Sequence, residues 1–233
     1  MKHQAQKIAL ISDIHGNLPA LESVIEQCRR KGVQKIWNLG DITGYIPFPN
    51  DVIEILEQEN AVSVVGNYDR KVISFPPKKK KWKKKKKRKK FHAFEWNSDN
   101  LTSANRKILK SLPEEVRLGI EGHRILLTHE TPDSCHEALF PETFKSRFKE
   151  LAVIADADIV CIGHSHIPFK KNVSNTLFVN PGSIGLPVDG RHSSYTTLEF
   201  SSDYVKVNFH TVLFDVERVK RAMDAASISL SLL

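Results

Sequence analysis

The sequence predicts an α/β protein, and two observations carry that prediction. Over the first third of the chain, short β-branched runs alternate with longer amphipathic stretches, the pattern of βαβ units around a largely parallel sheet. At 233 residues, 40% of them hydrophobic and 27% charged, the chain is also long enough for one large globular domain to bury about 70 to 75% of its unfolded surface. That composition excludes a disulfide scaffold and a disordered chain. No apolar run approaches the roughly 18 residues of a membrane span, and residues 8–11 are too short for the apolar region of a signal peptide. The expectation is a soluble, cytoplasmic protein with no membrane partner.

The elements follow in order. Residues 7–12 (KIALIS) read as a buried strand. Residues 18–31 carry apolar side chains at Leu18, Leu21, Val24, Ile25 and Cys28, a helical spacing that Gly32 can close as a C-cap. A second strand is expected at 35–39, a second helix at 51–58 with Asn50 as N-cap, and a third strand at 61–65. Further on, 103–111 reads as a helix, and 116–120 with 124–128 as a hairpin around Glu121-Gly122-His123. A helix at 144–155 and a strand at 158–162 come next. The remainder is strand-rich at 177–179, 195–200 and 204–212, with a closing helix at 216–225 and no internal repeat anywhere.

The formal charge of +8 has a local source. The segment KKKKWKKKKKRKK, from Lys78 to Lys90, holds 12 of the 35 basic residues, and without it 23 basic residues face 27 acidic ones, a balance of −4. A partner suggested by basic charge, nucleic acid or another polyanion, therefore concerns this segment and not the body of the protein. A run of like charge can also be a solvated, mobile stretch, and both readings stand at this point. Cys28, Cys135 and Cys161 are widely spaced, odd in number and without a C-x-x-C pair, which fits a reducing compartment.

Polar residues fall in a telling place. Asp13, Asp41, Asn67, His129 and His164 each stand just beyond the C-terminal end of an apolar strand, where open α/β sheets place their ligands. The blocks are Asp13-Ile14-His15, Gly40-Asp41, Gly66-Asn67, His129 and Gly163-His164-Ser165-His166. Each alone is as well explained by a turn or a cap. Five in this order, each after a strand, resemble the calcineurin-like metallophosphoesterases, whose signature is D-x-H, G-D-x-x-D, G-N-H-D/E, H and G-H-x-H. Gly44-Tyr45 and Asn180-Pro181-Gly182-Ser183 look like the small bacterial and archaeal phosphodiesterase branch of that family.

The resemblance implies a four-layer αββα sandwich, two mixed sheets flanked by helices. It further implies one metallophosphoesterase domain over 1–233 with a Lys-rich insertion at about 76–92. It assigns Asp13, His15, Asp41 and His166 to one metal, and Asp41, Asn67, His129 and His164 to the other, with Asp41 bridging. Carboxylate, amide and neutral imidazole suit two divalent ions, manganese foremost and iron, zinc or nickel as alternatives. The implied activity is hydrolysis of phosphodiesters or nucleotide phosphoanhydrides by a metal-bound hydroxide, on a phosphorylated small molecule or nucleotide. The implied catalytic group is Tyr68, Asp69, Asn67 and His129. A polyanion binder or a non-catalytic scaffold on the same fold is the alternative.

The chain departs from the signature twice. Ile42-Thr43-Gly44 stands in place of x-x-D, removing a carboxylate that often supports the site from outside the ligand set. Tyr68 stands where many members carry the histidine that protonates the leaving group, and Asp69 is open to two readings, a helix cap or a group that orients residue 68. Asn17 is either a phosphate contact or the cap of the following helix, and His92 and His136 sit in loops from which they could reach substrate.

Overall fold

The computed structural model describes residues 6–85, 87–201 and 204–233. Lys86, inside the basic run, lies outside the described residues. Strand β1 (Gln6–Ile11) leads through helix α1 (Leu18–Arg30) to β2 (Lys35–Asn38), and α2 (Pro49–Gln58) leads to β3 (Val62–Ser63). Four helices follow: α3 (Asn67–Ile73), α4 (Phe75–Lys85), α5 (Arg88–Asn100) and α6 (Ser103–Ser111). Then come β4 (Glu115–Ile120), β5 (His123–Thr128), α7 (Lys145–Ala155), β6 (Ile159–Cys161), β7 (Phe169–Val173) and β8 (Thr176–Asn180). The chain closes with β9 (His192–Phe200), β10 (Val205–Leu213) and α8 (Val216–Ala225), then a short 3-10 turn at Leu230–Leu232.

Two mixed five-stranded sheets result, ordered β10-β9-β1-β2-β3 and β4-β5-β6-β8-β7. In the first, β1, β2 and β3 are mutually parallel while β9 runs antiparallel to β1. In the second, β5, β6 and β8 are parallel, with β4 and β7 antiparallel at the two edges. Alternation along β1 explains the layering. Ile8 and Leu10 point into the space between the sheets, with Trp37, Ile125, Leu127, Cys161 and Phe200, whereas Ala9 and Ile11 face the helices outside. On the far side, Phe148, Leu151 and Ala155 of α7 cover the second sheet, against Leu126, Val160 and Phe178. The layers are therefore helix, sheet, sheet, helix, as the sequence led us to expect. Each fully buried Leu or Ile in these layers contributes about 1.5 to 3 kcal/mol.

Local corrections have physical causes. Helix α2 begins at Pro49, whose fixed φ suits the first helical position, so Phe48 and not Asn50 is its N-cap. Asn50 instead ties α2 to α5 and α6, donating to Asn100 O (2.9 Å) and accepting from Thr102 N (3.0 Å). Strand β3 stops at Ser63 because Val65 N turns away to bond Pro113 O at 2.9 Å. The β4–β5 turn is Glu121-Gly122 alone, with φ of 49° and 82°, and His123 already belongs to β5. Positive φ at both central residues marks the two-residue turn that matches strand twist.

Among the described residues the basic stretch is helical over α4 and α5. Its strongly polar composition hides the anchors: Phe75 and Phe94 are buried, and Trp82 is half-buried with its ring 5.6 Å from Phe75 and 6.4 Å from Phe94. Trp82 is thus spent on docking α4 to the core and is not a free platform for a base.

Candidate metal centre

All of the strands that end in the polar blocks are parallel within their sheets, so the loops after β1, β2, β3, β5 and β6 gather at one end of the sandwich. Backbone bonds lace these loops together: Asp13 N to Gly40 O (3.0 Å), His15 N to Asp41 O (2.8 Å), and Gly163 N to His129 O (3.0 Å). Bonds also join the sheets' loops, among them His129 Nδ1 with Leu39 O at 2.7 Å and His164 N with Asp13 Oδ2 at 3.0 Å. The connection fixes the His129 ring with Nε2 turned inward.

Backbone strain concentrates here. Eleven non-glycine residues among those described have positive φ, and five of them are Asp13 (54°), His15 (50°), Asp41 (53°), His164 (69°) and His166 (61°). A left-handed conformation costs an L-residue about 1 to 2 kcal/mol, and such strain persists where surrounding structure enforces it. One enforcing contact is Gly66, where a Cβ would stand 2.1 Å from Asp41 N and 2.2 Å from Asp41 Oδ1.

The ligand atoms form two groups, Asp13 with His15 and His166, and Asp41 with His129 and His164, each within 4.8 Å. Asp41 stands between them. Its Oδ1 accepts from Tyr68 N at 2.6 Å, which leaves Oδ2 facing His129 Nε2 at 3.4 Å and His15 Nε2 at 3.9 Å. In the other group, His166 Nε2 lies 3.2 Å from Asp13 Oδ1 and 3.1 Å from His15 Nε2. Asp13 Oδ2 is held by Ser12 Oγ at 2.6 Å, a contact that the sequence gives no sign of. Asp13 Oδ1 and His129 Nε2 are buried without a hydrogen bond. Burying unpaired groups is costly, and a cation in each group satisfies its unpaired atom, so these residues fit metal ions.

Electrostatics point the same way. Burial pushes the Asp13 carboxyl up, but His166 and the other imidazoles outweigh it and hold it below the usual range; Asp41 is likewise held low, burial being overcome by His129. Burial opposes the charged form of His129, yet Asp41 raises it to about 10, and Asp13 raises His166 against the same penalty. His15 and His164 are pushed down to about 4, chiefly by burial. Without cations, His129 holds a proton where a ligand needs a lone pair, and Asp13 shifts His166 in the same direction. The sign follows: a metal must displace such protons below the raised pKa values, so affinity rises with pH. Between pH 6 and 8 the metal affinity should increase about tenfold per pH unit for each proton displaced. Calorimetry in buffers of different ionisation enthalpy should register proton release, and a pH-independent affinity would refute the competition.

The other expected site residues divide. Asn67 donates Nδ2 to His164 Nδ1 (3.0 Å) and accepts from Lys71 Nζ (3.1 Å), so an amide rotation would present its oxygen to the second group. Tyr68 packs edge-on to His15 at 4.8 Å, with its hydroxyl 2.6 Å from Tyr45 OH. Asp69 accepts from Gly66 N (3.0 Å), Ile42 N (3.2 Å), Thr43 N (2.8 Å) and Thr43 Oγ1 (2.9 Å), which makes it a cap of α3 and a clamp on the Asp41 loop. Its carboxyl is raised to about 6 by burial and then by Asp41.

Asn17 is a correction to the phosphate reading. It is fully buried, caps α1 by accepting from Ala20 N (3.2 Å), and donates to Gly185 O (3.0 Å), so both ends of its amide are spent. The His92 ring lies 3.3 Å from Ala226 O and 3.8 Å from Glu95, and exposed His136 lies 3.6 Å from Cys135 Sγ. The missing carboxylate has a visible consequence. A Cβ on Gly44 would stand 2.6 Å from His15 Nδ1, and that nitrogen is buried without a hydrogen bond.

Residues 7–203 match the calcineurin-like phosphoesterase superfamily domain. An uncharacterised protein of Methanocaldococcus jannaschii is 31% identical over 230 residues, 91% of this chain and 89% of that one. Phosphodiesterase YfcE of Escherichia coli is 26% identical over 207 residues, covering 83% and 87%. The crystal structure of a metallophosphoesterase from Sphaerobacter thermophilus superposes with a TM-score of 0.80 at 26% identity, covering 98% and 96%. The chain therefore belongs to the calcineurin-like phosphoesterase superfamily, a family of divalent-metal-dependent hydrolases.

Proposed function

We propose that Asp13, His15, Asp41, Asn67, His129, His164 and His166 hold two divalent cations, manganese foremost, and that the protein hydrolyses phosphodiesters or nucleotide phosphoanhydrides. The observation that carries this reading is the position of Asp41 Oδ2 between two ligand groups, each holding a buried atom without a hydrogen bond, Asp13 Oδ1 in one and His129 Nε2 in the other. Two such ions, when bound, supply Lewis acidity to phosphoryl oxygens and an acidified water as nucleophile. The chain's own part is placement. Tyr68 N holds one oxygen of Asp41 so that the other faces both groups, and Leu39 O and Leu186 O orient His129 and His166 through their Nδ1 atoms. Asp69 acts by positioning, through its clamp on the loop that carries Asp41. The YfcE likeness favours diesters as the substrate class. We read the whole chain as one such domain that includes the basic helices, and its three free cysteines as the mark of a reducing, cytoplasmic setting. Metal analysis of purified protein, then a manganese-supplemented screen of aryl diesters, cyclic nucleotides and dinucleoside polyphosphates, tests the reading; no bound metal and no turnover would overturn it.

Tyr68 sets the leaving-group preference. Burial, and then Tyr45, push its phenol above the ordinary value of 10.0, so it gives up a proton even less readily than a free tyrosine. Leaving groups that depart as stable anions need no proton. Rates across an aryl-ester series should fall steeply as leaving-group pKa rises, and Tyr68→His should improve the poorest leaving groups most. A shallow slope in the wild type would show that protonation comes from elsewhere.

A further inference from the structure

We propose that the exposed face of α4, continued by Lys90 and Lys71 to the rim of the metal centre, binds nucleic acid by its phosphate backbone. Six lysines of α4, at 78, 79, 80, 81, 83 and 84, are exposed. Spread over the seven residues 78–84 of a helix rising about 1.5 Å per residue, they place one charge per roughly 1.8 Å of axis, comparable with one negative charge per about 1.7 Å of duplex DNA. Glu95 pairs with Lys79 at 2.8 Å. Lys80 with Lys84, and Lys79 with Lys83, are like charges one turn apart, and each such pair works against the helix. An anionic chain laid along this face removes that repulsion.

The track reaches the site by contact. Lys90 Nζ stands 5.6 Å over the Tyr45 ring and Lys71 Nζ 4.1 Å over the Tyr68 ring, and the Tyr68 ring lies 4.8 Å from His15. Two features select the ligand. Phe75 is buried and Trp82 packs half-buried against the core, so the large apolar side chains of α4 are not offered to a lipid surface. With Trp82 committed, base stacking is not offered either, and binding is ionic and insensitive to sequence.

The dock rests on the phosphodiesterase reading only for its role in presenting substrate, and the experiment separates the two. Binding of a fluorescent 20-nucleotide single strand is measured by anisotropy in EDTA, for the wild type and for K80Q/K81Q/K83Q/K84Q. These exposed positions take glutamine without loss of helix propensity, and circular dichroism confirms the fold. Wild-type affinity should fall on the order of 100-fold between 50 and 200 mM salt, for about five phosphates neutralised. The variant should bind at least about tenfold more weakly, with a salt slope shallower by about 0.7 per lysine removed. With manganese, both proteins should turn over bis(4-nitrophenyl) phosphate within about twofold of each other, and the oligonucleotide should inhibit the wild type at its binding concentration. Equal affinity and slope in the two proteins, binding without inhibition, or tighter binding to phosphatidylserine vesicles than to the oligonucleotide would each overturn the dock. If neither protein turns over the diester while oligonucleotide binding still collapses in the variant, the dock stands and the phosphodiesterase reading falls.

Discussion

Asp41→Asn should lose more than about 100-fold in kcat/KM and bind fewer metal ions than the wild type, while keeping its fold. Removing a group that merely orients a metal ligand costs about 10- to 100-fold, and Asp41 stands between both ligand groups. The substitution is chosen to spare the scaffold. Asparagine retains an oxygen for Tyr68 N, so the contact at 2.6 Å survives, and the change falls on the oxygen that faces His129 and His15. Metal content by plasma spectrometry and turnover of an aryl diester check it. His123→Ala serves as the control, since that ring bonds Ser201 O at 3.1 Å and packs beside Phe200, far along β5 from the ligand end. Wild-type turnover and metal content in Asp41→Asn would end the two-metal assignment.

Gly66→Ala should damage stability and chemistry together. Its Cβ would meet the backbone nitrogen of Asp41 at 2.1 Å and Oδ1 at 2.2 Å, and a backbone atom cannot rotate out of the way. Overpacking of this kind costs about 1 to 3 kcal/mol, which for a chain of this length lowers the melting temperature by roughly 2 to 4 °C per kcal/mol. Because the displaced residue carries the shared carboxylate, the metal-dependent gain in melting temperature should shrink as well. A variant that melts lower but keeps the full metal-dependent gain would show that the loop absorbs the clash without moving Asp41.

Much of this was legible because the relevant patterns are short in range. The strands that end in Asp13, Asp41 and His129 are read from short runs of two to four apolar residues, and the order of the polar blocks is a property of the chain alone. The basic helices were not legible. Lysine repeats carry no apolar periodicity, and the helical state of α4 depends on Phe75 and Trp82 finding Phe91 and Phe94 on the next helix. Asn50 reads as a cap in the sequence, but Pro49 sets the helix start two residues earlier than that reading, a competition between two start signals that only the folded backbone resolves.

The sequence by itself determined which residue types stand at the strand ends, because residue order is a local fact, and the family resemblance those blocks carry implied the four-layer fold and the ligand assignment. Tertiary structure decided the rest: which oxygen of Asp41 faces the site, that Asp69 clamps the Asp41 loop through Thr43, that Asn17 is tied to Gly185, that Tyr68 turns its hydroxyl to Tyr45, and that Trp82 is half-buried against Phe75 and Phe94. Each depends on hydrogen bonds or ring contacts between residues distant in the chain, such as Asp69 with Thr43 and Asn17 with Gly185, and no spacing along the sequence encodes them.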